Sequence, residues 1–304
     1  MRFSIFQESR KGGREANQDR TSYAYTRDAL LMVVADGMGG HLHGEVAAQI
    51  AVQLLTEAFQ REAKPKLADP FGFLQKSITD AHFALGDYAS ARSLIESPRT
   101  TCVACVVQDS TAFWAHVGDS RLYHIRQGRI QAQTRDHSRV QMLVDQGRVR
   151  EEAVAAHPDR NKIFNCIGAS ALPQVELSTP TLLREDDTLM LCTDGVWGPL
   201  TGKLITGELL KSDLMTAIPA LLDLAELRGG EDSDNLSVVA MTWAETHPAI
   251  AGEVSTRTLK RDGVTTQLED FSKADHSDLT DEEIEHAIEE IRAAIRKHTP
   301  QKKS

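Results

Sequence analysis

Short β-like runs open the chain: RFSIFQ (Arg2–Gln7), TSYAYT (Thr21–Thr26) and LLMVVAD (Leu30–Asp36). The apolar period then changes from two to about 3.6. From Gly44 to Ala63, residues Ala47, Ile50, Ala51, Leu54, Leu55 and Ala58 form one stripe, with Glu45, Gln49, Gln53 and Glu57 mostly off it. Phe71 to Ala91 repeats the device through Leu74, Ile78, Ala81, Leu85 and Tyr88. Both stretches are predicted to be amphipathic helices. A meander follows: TCVACVV, TAFWAHV, RLYHIR and RIQAQT, separated by Gln108-Asp109-Ser110, Gly118-Asp119-Ser120 and Gln127-Gly128. Links this short demand antiparallel pairing, because a parallel crossover needs a dozen or more residues. Residues 138 to 168 are mixed, with helical pattern at Val140–Gln146 and near Arg150–Ala156. A strand is predicted at DDTLMLCTD, helices from about Lys203 to Leu227, and a last strand at LSVVAMTW. Strands in groups with long helices between them predict an α+β fold, not an alternating parallel one.

After Ala244 the pattern changes. Residues 245 to 279 are polar and read as a linker. Thr280-Asp281-Glu282-Glu283 is a capping box opening a helix over 280–298 with Ile284, Ile288, Ile291 and Ile295 in a stripe. That stripe is expected to bury itself on its own domain or on a partner. At 304 residues, 41% hydrophobic and 26% charged, the chain has ample material for a core. A net charge of −10 argues against nucleic acid as the main partner. The amino terminus lacks the apolar core of a signal peptide, and no run is long enough to span a bilayer, so a cytoplasmic protein is expected. Cys102 and Cys105 form a CxxC, but on a strand residues three apart face opposite sides, so buried thiols are expected rather than a zinc or redox pair.

Chemistry enters at strand ends. In VVADGMGGH (Val33–His41) an apolar run stops on Asp36 with glycines behind it, and LMLCTDG repeats this at Asp194-Gly195. AHVGDSR places Asp119 just past another strand, GGEDSDNLSVV places Asp234 just ahead of one, and REANQD adds Asp19. The glycines belong neither to a P-loop, which needs GKS or GKT, nor to a full GxGxxG. Several ionised aspartates at one sheet rim repel unless cations hold them together. Oxygen ligands without histidine–cysteine spacing point to Mg²⁺ or Mn²⁺. Glycine here is expected to let the backbone close in, so that the Gly37 carbonyl itself reaches a metal.

With these motifs in hand, the chain resembles the metal-dependent protein phosphatases of the 2C type in their bacterial form. The likeness runs in order through REANQD (Arg14–Asp19), VADGMGGH (Val34–His41), Thr100-Thr101, VGDSR (Val117–Arg121), TRDHS (Thr134–Ser138), LCTDG (Leu191–Gly195) and Asp234-Asn235. It implies a four-layer α-β-β-α sandwich over residues 1–244, with a flap at about 138–168. It implies hydrolysis of phosphoserine and phosphothreonine in proteins by a metal-bridged hydroxide, opposing a Ser/Thr kinase. By the same resemblance Asp36 bridges two Mn²⁺ or Mg²⁺ ions, and the Gly37 carbonyl, Asp194 and Asp234 complete the core site. Asp119 joins Asp194 at a possible third ion, Asp19 acts near the metals, and Arg14 grips the substrate phosphate.

Three departures stand out. Gln18 replaces a glutamate found in many eukaryotic members. Met38 replaces a histidine proposed there as general acid, and a thioether cannot donate a proton; His41 and His43 are the nearby candidates. Arg99 precedes Thr100-Thr101 where glycine is usual, and the sequence offers no account of it. Two alternatives remain: a phosphatase devoted to a regulator of sigma-factor partners, and a non-catalytic phosphatase-like binding module.

Overall fold

The computed structural model describes residues 1–38, 43–150, 153–154 and 157–244. Two antiparallel sheets lie face to face. One has the order β1 (Arg2–Arg10), β11 (Leu236–Ala244), β10 (Thr188–Cys192), β6 (Arg121–Arg126), β7 (Arg129–Gln133). The other runs β2 (Asp19–Tyr25), β3 (Ala29–Asp36), β4 (Cys102–Gln108), β5 (Thr111–Val117), β8 (Glu176–Leu177), with β9 (Thr181–Leu182) also pairing with β5. Helices α1 (Gly44–Glu62) and α2 (Pro70–Ala91) cover the second sheet. The turn α4 (Asp194–Trp197), α5 (Gly202–Leu209) and α6 (Leu214–Gly229) cover the first. A short α3 (Arg139–Asp145) sits apart from both layers. The expected α-β-β-α sandwich is what forms.

Strand alternation builds three cores at once. On β3, Leu31, Val33 and Ala35 pack under α1 and α2, whereas Leu30, Met32 and Val34 face the other sheet. A strand buried on both faces has no polar positions to alternate with, which is why this run is unbroken. The inter-sheet core is completed by Val103, Cys105 and Val107 of β4, Leu189 and Leu191 of β10, and Val239 and Met241 of β11. Cys102 and Cys105 do face opposite layers, and all four cysteines are buried free thiols. Burial holds the Cys102 thiol up at about 12, so it is unreactive.

The differences from the sequence reading are local. The region from Lys203 to Leu227 is two helices, divided after Leu209 and restarted by Asp213, whose side chain accepts the Thr216 N–H at 3.1 Å. Strands β8 and β9 and the turn α4 carry no periodicity, being only two to four residues long. Gln53, expected off the α1 stripe, is buried and donates to Glu57 at 2.8 Å. Part of the helix expected near 150–156, and the linker and helix expected beyond 244, lie outside the described residues. Among the described residues no helix is long and apolar enough to cross a membrane.

Because the inter-sheet core fixes one sheet against the other, Leu191→Ala should lower the free energy of unfolding by about 2–5 kcal/mol, measured by denaturant titration.

Candidate active site

Five aspartates stand at strand ends that the two sheets bring to one rim. Asp19 opens β2 and Asp36 closes β3, and the two are direct cross-strand partners. Asp194 follows β10 as the first residue of α4, Asp234 precedes β11, and Asp119 occupies the turn between β5 and β6. Their mutual electrostatics show how closely they converge. Burial, then the charges of Asp19, Asp194, Asp119 and Asp234, holds Asp36 well above the ordinary carboxylate range. Burial, then Asp194 and Asp136, does the same to Asp119. Asp19 is pushed up to about 7, chiefly by burial, with Asp194 and Asp234 adding to the shift against hydrogen bonding by the Ser237 and Thr193 side chains. Asp194 rises to about 6 through burial and Asp234, and it lies close enough to Asp36 to share a proton.

Short polar side chains fix this arrangement across the sheets. Thr193 accepts the Ser237 N–H at 3.1 Å, so its hydroxyl proton goes to Asp19 Oδ2 at 2.8 Å. Thr101 Oγ1 accepts the Asp36 N–H at 3.0 Å and shares a hydroxyl–hydroxyl hydrogen bond with Ser120 Oγ at 2.7 Å. Asn235 Oδ1 accepts the Gln18 N–H at 2.8 Å, while its Nδ2 donates to the carbonyls of Lys11 and Ala16 at 2.8 and 2.9 Å. At Gly37 a Cβ would lie 2.2 Å from the Gly44 carbonyl oxygen and 2.7 Å from that of Gln18, so only glycine lets the turn close.

The residues fit a hard divalent cation. The donor set is carboxylates plus the Gly37 carbonyl, all oxygen. Asp19 Oδ1 is buried with no hydrogen-bond partner, a cost of about 1–3 kcal/mol that an ion or a bound proton would remove. Raised carboxylates packed together are the signature of a place where positive charge belongs.

Arg14 reaches this basin differently from the expectation of an open phosphate grip. Its Nε and Nη2 donate to Asp234 Oδ1 and Oδ2 at 2.9 and 2.7 Å, a bidentate pair on a half-exposed side chain. Met38 is held by its N–H on the Arg99 carbonyl at 3.0 Å, and Thr100 of the same segment bridges Gly37 and Ile167. Arg99 thus contributes its backbone to the rim, and its Nη2 meets Glu96 at 3.3 Å. Gln18 Nε2 donates to Glu45 at 3.3 Å. His43 caps the start of α1 with its ring edge-on to Tyr88, 6.5 Å between centroids, and His41 lies outside the described residues.

A second cluster, His116, His137 and Glu176, has its ligand atoms within 4.8 Å of one another and resembles a metal site. Its hydrogen bonds say otherwise. Asn165 is oriented by the Gln174 backbone, donating to its carbonyl at 2.7 Å and accepting its N–H at 3.0 Å. Asn165 Nδ2 and the Gly118 N–H both donate to His137 Nδ1, at 2.8 and 3.1 Å. In the neutral ring the proton therefore sits on Nε2, which faces Glu176 at 3.3 Å. A protonated nitrogen cannot ligate, and two remaining groups are too few for a stable site.

Sequence reasoning placed the carboxylates but not their supports. Thr101, Ser120, Thr193 and Asn235 all fell inside quoted motifs, but with no role assigned to them.

Comparison with known proteins adds relatives. The sequence profile of the family described as protein phosphatase 2C matches residues 7–221. The serine/threonine protein phosphatase PstP of Mycobacterium tuberculosis is 32% identical over 255 residues, covering 81% of this chain and 47% of the relative. This chain therefore spans about half the length of that protein. The serine/threonine phosphatase Stp of Listeria innocua is 31% identical over 231 residues, covering 74% of this chain and 90% of the relative. A crystal structure of the PstP catalytic domain in complex with two manganese ions superposes with a TM-score of 0.68 at 29% identity, covering 80% of this chain and 99% of that one.

The raised carboxylates set the pH dependence of stability. Asp19 rises from 3.8 to about 7, so between those values the folded, chelator-treated protein holds more protons than the unfolded chain. Its stability therefore falls as pH rises through that window. Thermal unfolding should show this fall, Asp19→Asn should make it shallower while Asp36, Asp119 and Asp194 still contribute, and added Mn²⁺ should restore stability at the upper end.

Proposed function

Because the chain belongs to the protein phosphatase 2C family, we propose that it removes phosphate from phosphoserine and phosphothreonine in proteins, using Mn²⁺ or Mg²⁺ held by its rim of aspartates. The observation that carries this reading is the convergence of five aspartates, four of them with raised pKa values, on one rim. Asp36, Asp194, Asp234 and the Gly37 carbonyl would hold two ions, with Asp119 and Asp194 offering oxygens to a third. When bound, such ions supply an activated water and neutralise charge on the phosphate.

The chain's own groups do the rest. Arg14 carries a planar fork already aimed into the basin, and the geometry that matches the Asp234 carboxylate also matches two phosphate oxygens. Thr193 leaves Asp19 Oδ1 alone in the basin, where it can take a proton or orient a water. Met38 cannot donate a proton to the leaving serine or threonine oxygen. His43, edge-on to Tyr88 at the start of α1, and His41, outside the described residues, stay the candidates beside solvent for that proton. Phosphorylated proteins made by a Ser/Thr kinase are the substrates this chemistry serves. A non-catalytic module is disfavoured, since a scaffold gains nothing from burying this much like charge. The cysteines take no part, being buried with raised pKa values.

Purified protein should hydrolyse an aryl phosphate and phosphothreonine peptides only with added Mn²⁺ or Mg²⁺, and Asp36→Asn should cut kcat by on the order of a hundredfold or more with the fold intact by circular dichroism. Full activity in that variant, or no turnover with any divalent ion, would sink the proposal. Arg14→Ala should chiefly raise KM for a phosphopeptide; an unchanged KM would remove Arg14 from the phosphate.

A further inference from the structure

Trp197 is neither a carboxylate nor one of the hydroxyls that hold them, yet it joins two parts of the basin just past the point where the β10–β6 ladder ends, at Cys192 opposite Arg121. Asp119 sits in the β5–β6 turn and Asp194 at the end of β10. Helix α4 is a single turn with Asp194 first and Trp197 last, so the carboxylate and the indole move as one piece. The indole Nε1–H donates to the Asp119 carbonyl at 3.0 Å in a buried bond. Arg121, two residues beyond Asp119, lays its guanidinium over the same indole 3.6 Å from the ring centroid.

Arg121 is itself immobilised. Its Nε and Nη2 donate to Asp136 Oδ1 and Oδ2 at 2.8 and 2.7 Å, and its Nη1 meets the Tyr123 hydroxyl at 3.1 Å. Asp136 is almost fully buried, so this ion pair is shielded from solvent. The turn bearing Asp119 is thus tied twice to the helical turn bearing Asp194: once by a directional hydrogen bond, once by a cation stacked on a flat ring. A cation shared by two carboxylates needs their oxygens at a fixed separation, and groups behind metal ligands commonly set that separation.

We propose that Trp197 is a positioning residue that sets the spacing between Asp119 and Asp194 and thereby the affinity of the divalent cation those two residues share. The proposal rests on the metal reading given above. The indole ring also packs in the core beneath α6, so its packing and its N–H must be separated experimentally. Phenylalanine comes nearest to this: it keeps an aromatic ring under Arg121 and removes the donor to the Asp119 carbonyl, and the packing lost with the smaller ring is what the Trp243→Phe control gauges.

The experiment is calorimetric titration of the metal-free full chain with Mn²⁺. It compares wild type, Trp197→Phe, Asp119→Ala and the control Trp243→Phe, whose ring is buried in the inter-sheet core at the far end of β11. The expected result is that Trp197→Phe weakens one binding event roughly tenfold, the same event that Asp119→Ala removes, and leaves the tighter events unchanged. Trp243→Phe should lower the melting temperature without moving any event. A Trp197→Phe isotherm that overlays wild type while only the melting temperature falls would overturn the proposal, as would equal weakening of every event. Absence of Mn²⁺ binding to the wild-type chain would instead remove the metal reading itself, and the inference with it.

Discussion

The repulsion among carboxylates buried at one rim is the constraint on which the rest of this structure depends. Left alone, such groups separate, take up protons or draw in cations. Here separation is forbidden. Asp19 and Asp36 are cross-strand partners in one sheet, Asp194 and Asp234 flank paired strands in the other, and an apolar core between the sheets fixes their distance. Protonation and cations are the two outlets left. Burial makes both strong, because water cannot screen the charges.

A basin of this kind has to be over-determined, and the way this is done is consistent. Two of the ties cross from one sheet to the other, and the rest fasten segments just past the last paired residues of neighbouring strands. Thr193 of the β10 end reaches Asp19 of β2, Asn235 of the β11 start reaches the Gln18 amide, and Thr101 holds Asp36 while sharing a proton with Ser120. Trp197 extends the pattern to Asp119. The donors are short or rigid side chains, which lose little rotamer freedom when fixed. Long flexible ones appear only where a cation has to reach in from the surface, as Arg14 does.

How much of this was legible follows from range. Alternation is a local property, so the nine longer strands and the two long helices α1 and α2 could be read, and so could a carboxylate ending an apolar run. Strands of two residues have no period to detect, which hid β8 and β9. The supports were hidden for a different reason. Trp197 and Asp119 are 78 positions apart, Thr193 and Asp19 are 174 apart, and Arg14 meets Asp234 across 220. No spacing rule relates such pairs; they are products of the sandwich. The apparent His116–His137–Glu176 metal site is the converse case, in which proximity misleads until the protons are placed.

The charge balance also explains why Arg14 belongs on Asp234. A protein of net charge −10 repels a phosphorylated substrate at long range, so attraction has to be generated within the basin itself. With the ions proposed above, two divalent cations together with Arg14 would offset five ionised aspartates, and a third would turn the basin positive. Arg14 held by Asp234 keeps its fork at the rim without adding a free cation that would compete for incoming ions. In the proposed reading, a phosphate arriving beside bound metal would meet a guanidinium whose geometry is set and whose partner is a carboxylate with a metal to turn to. The contact that neutralises Asp234 would then also keep the grip in place.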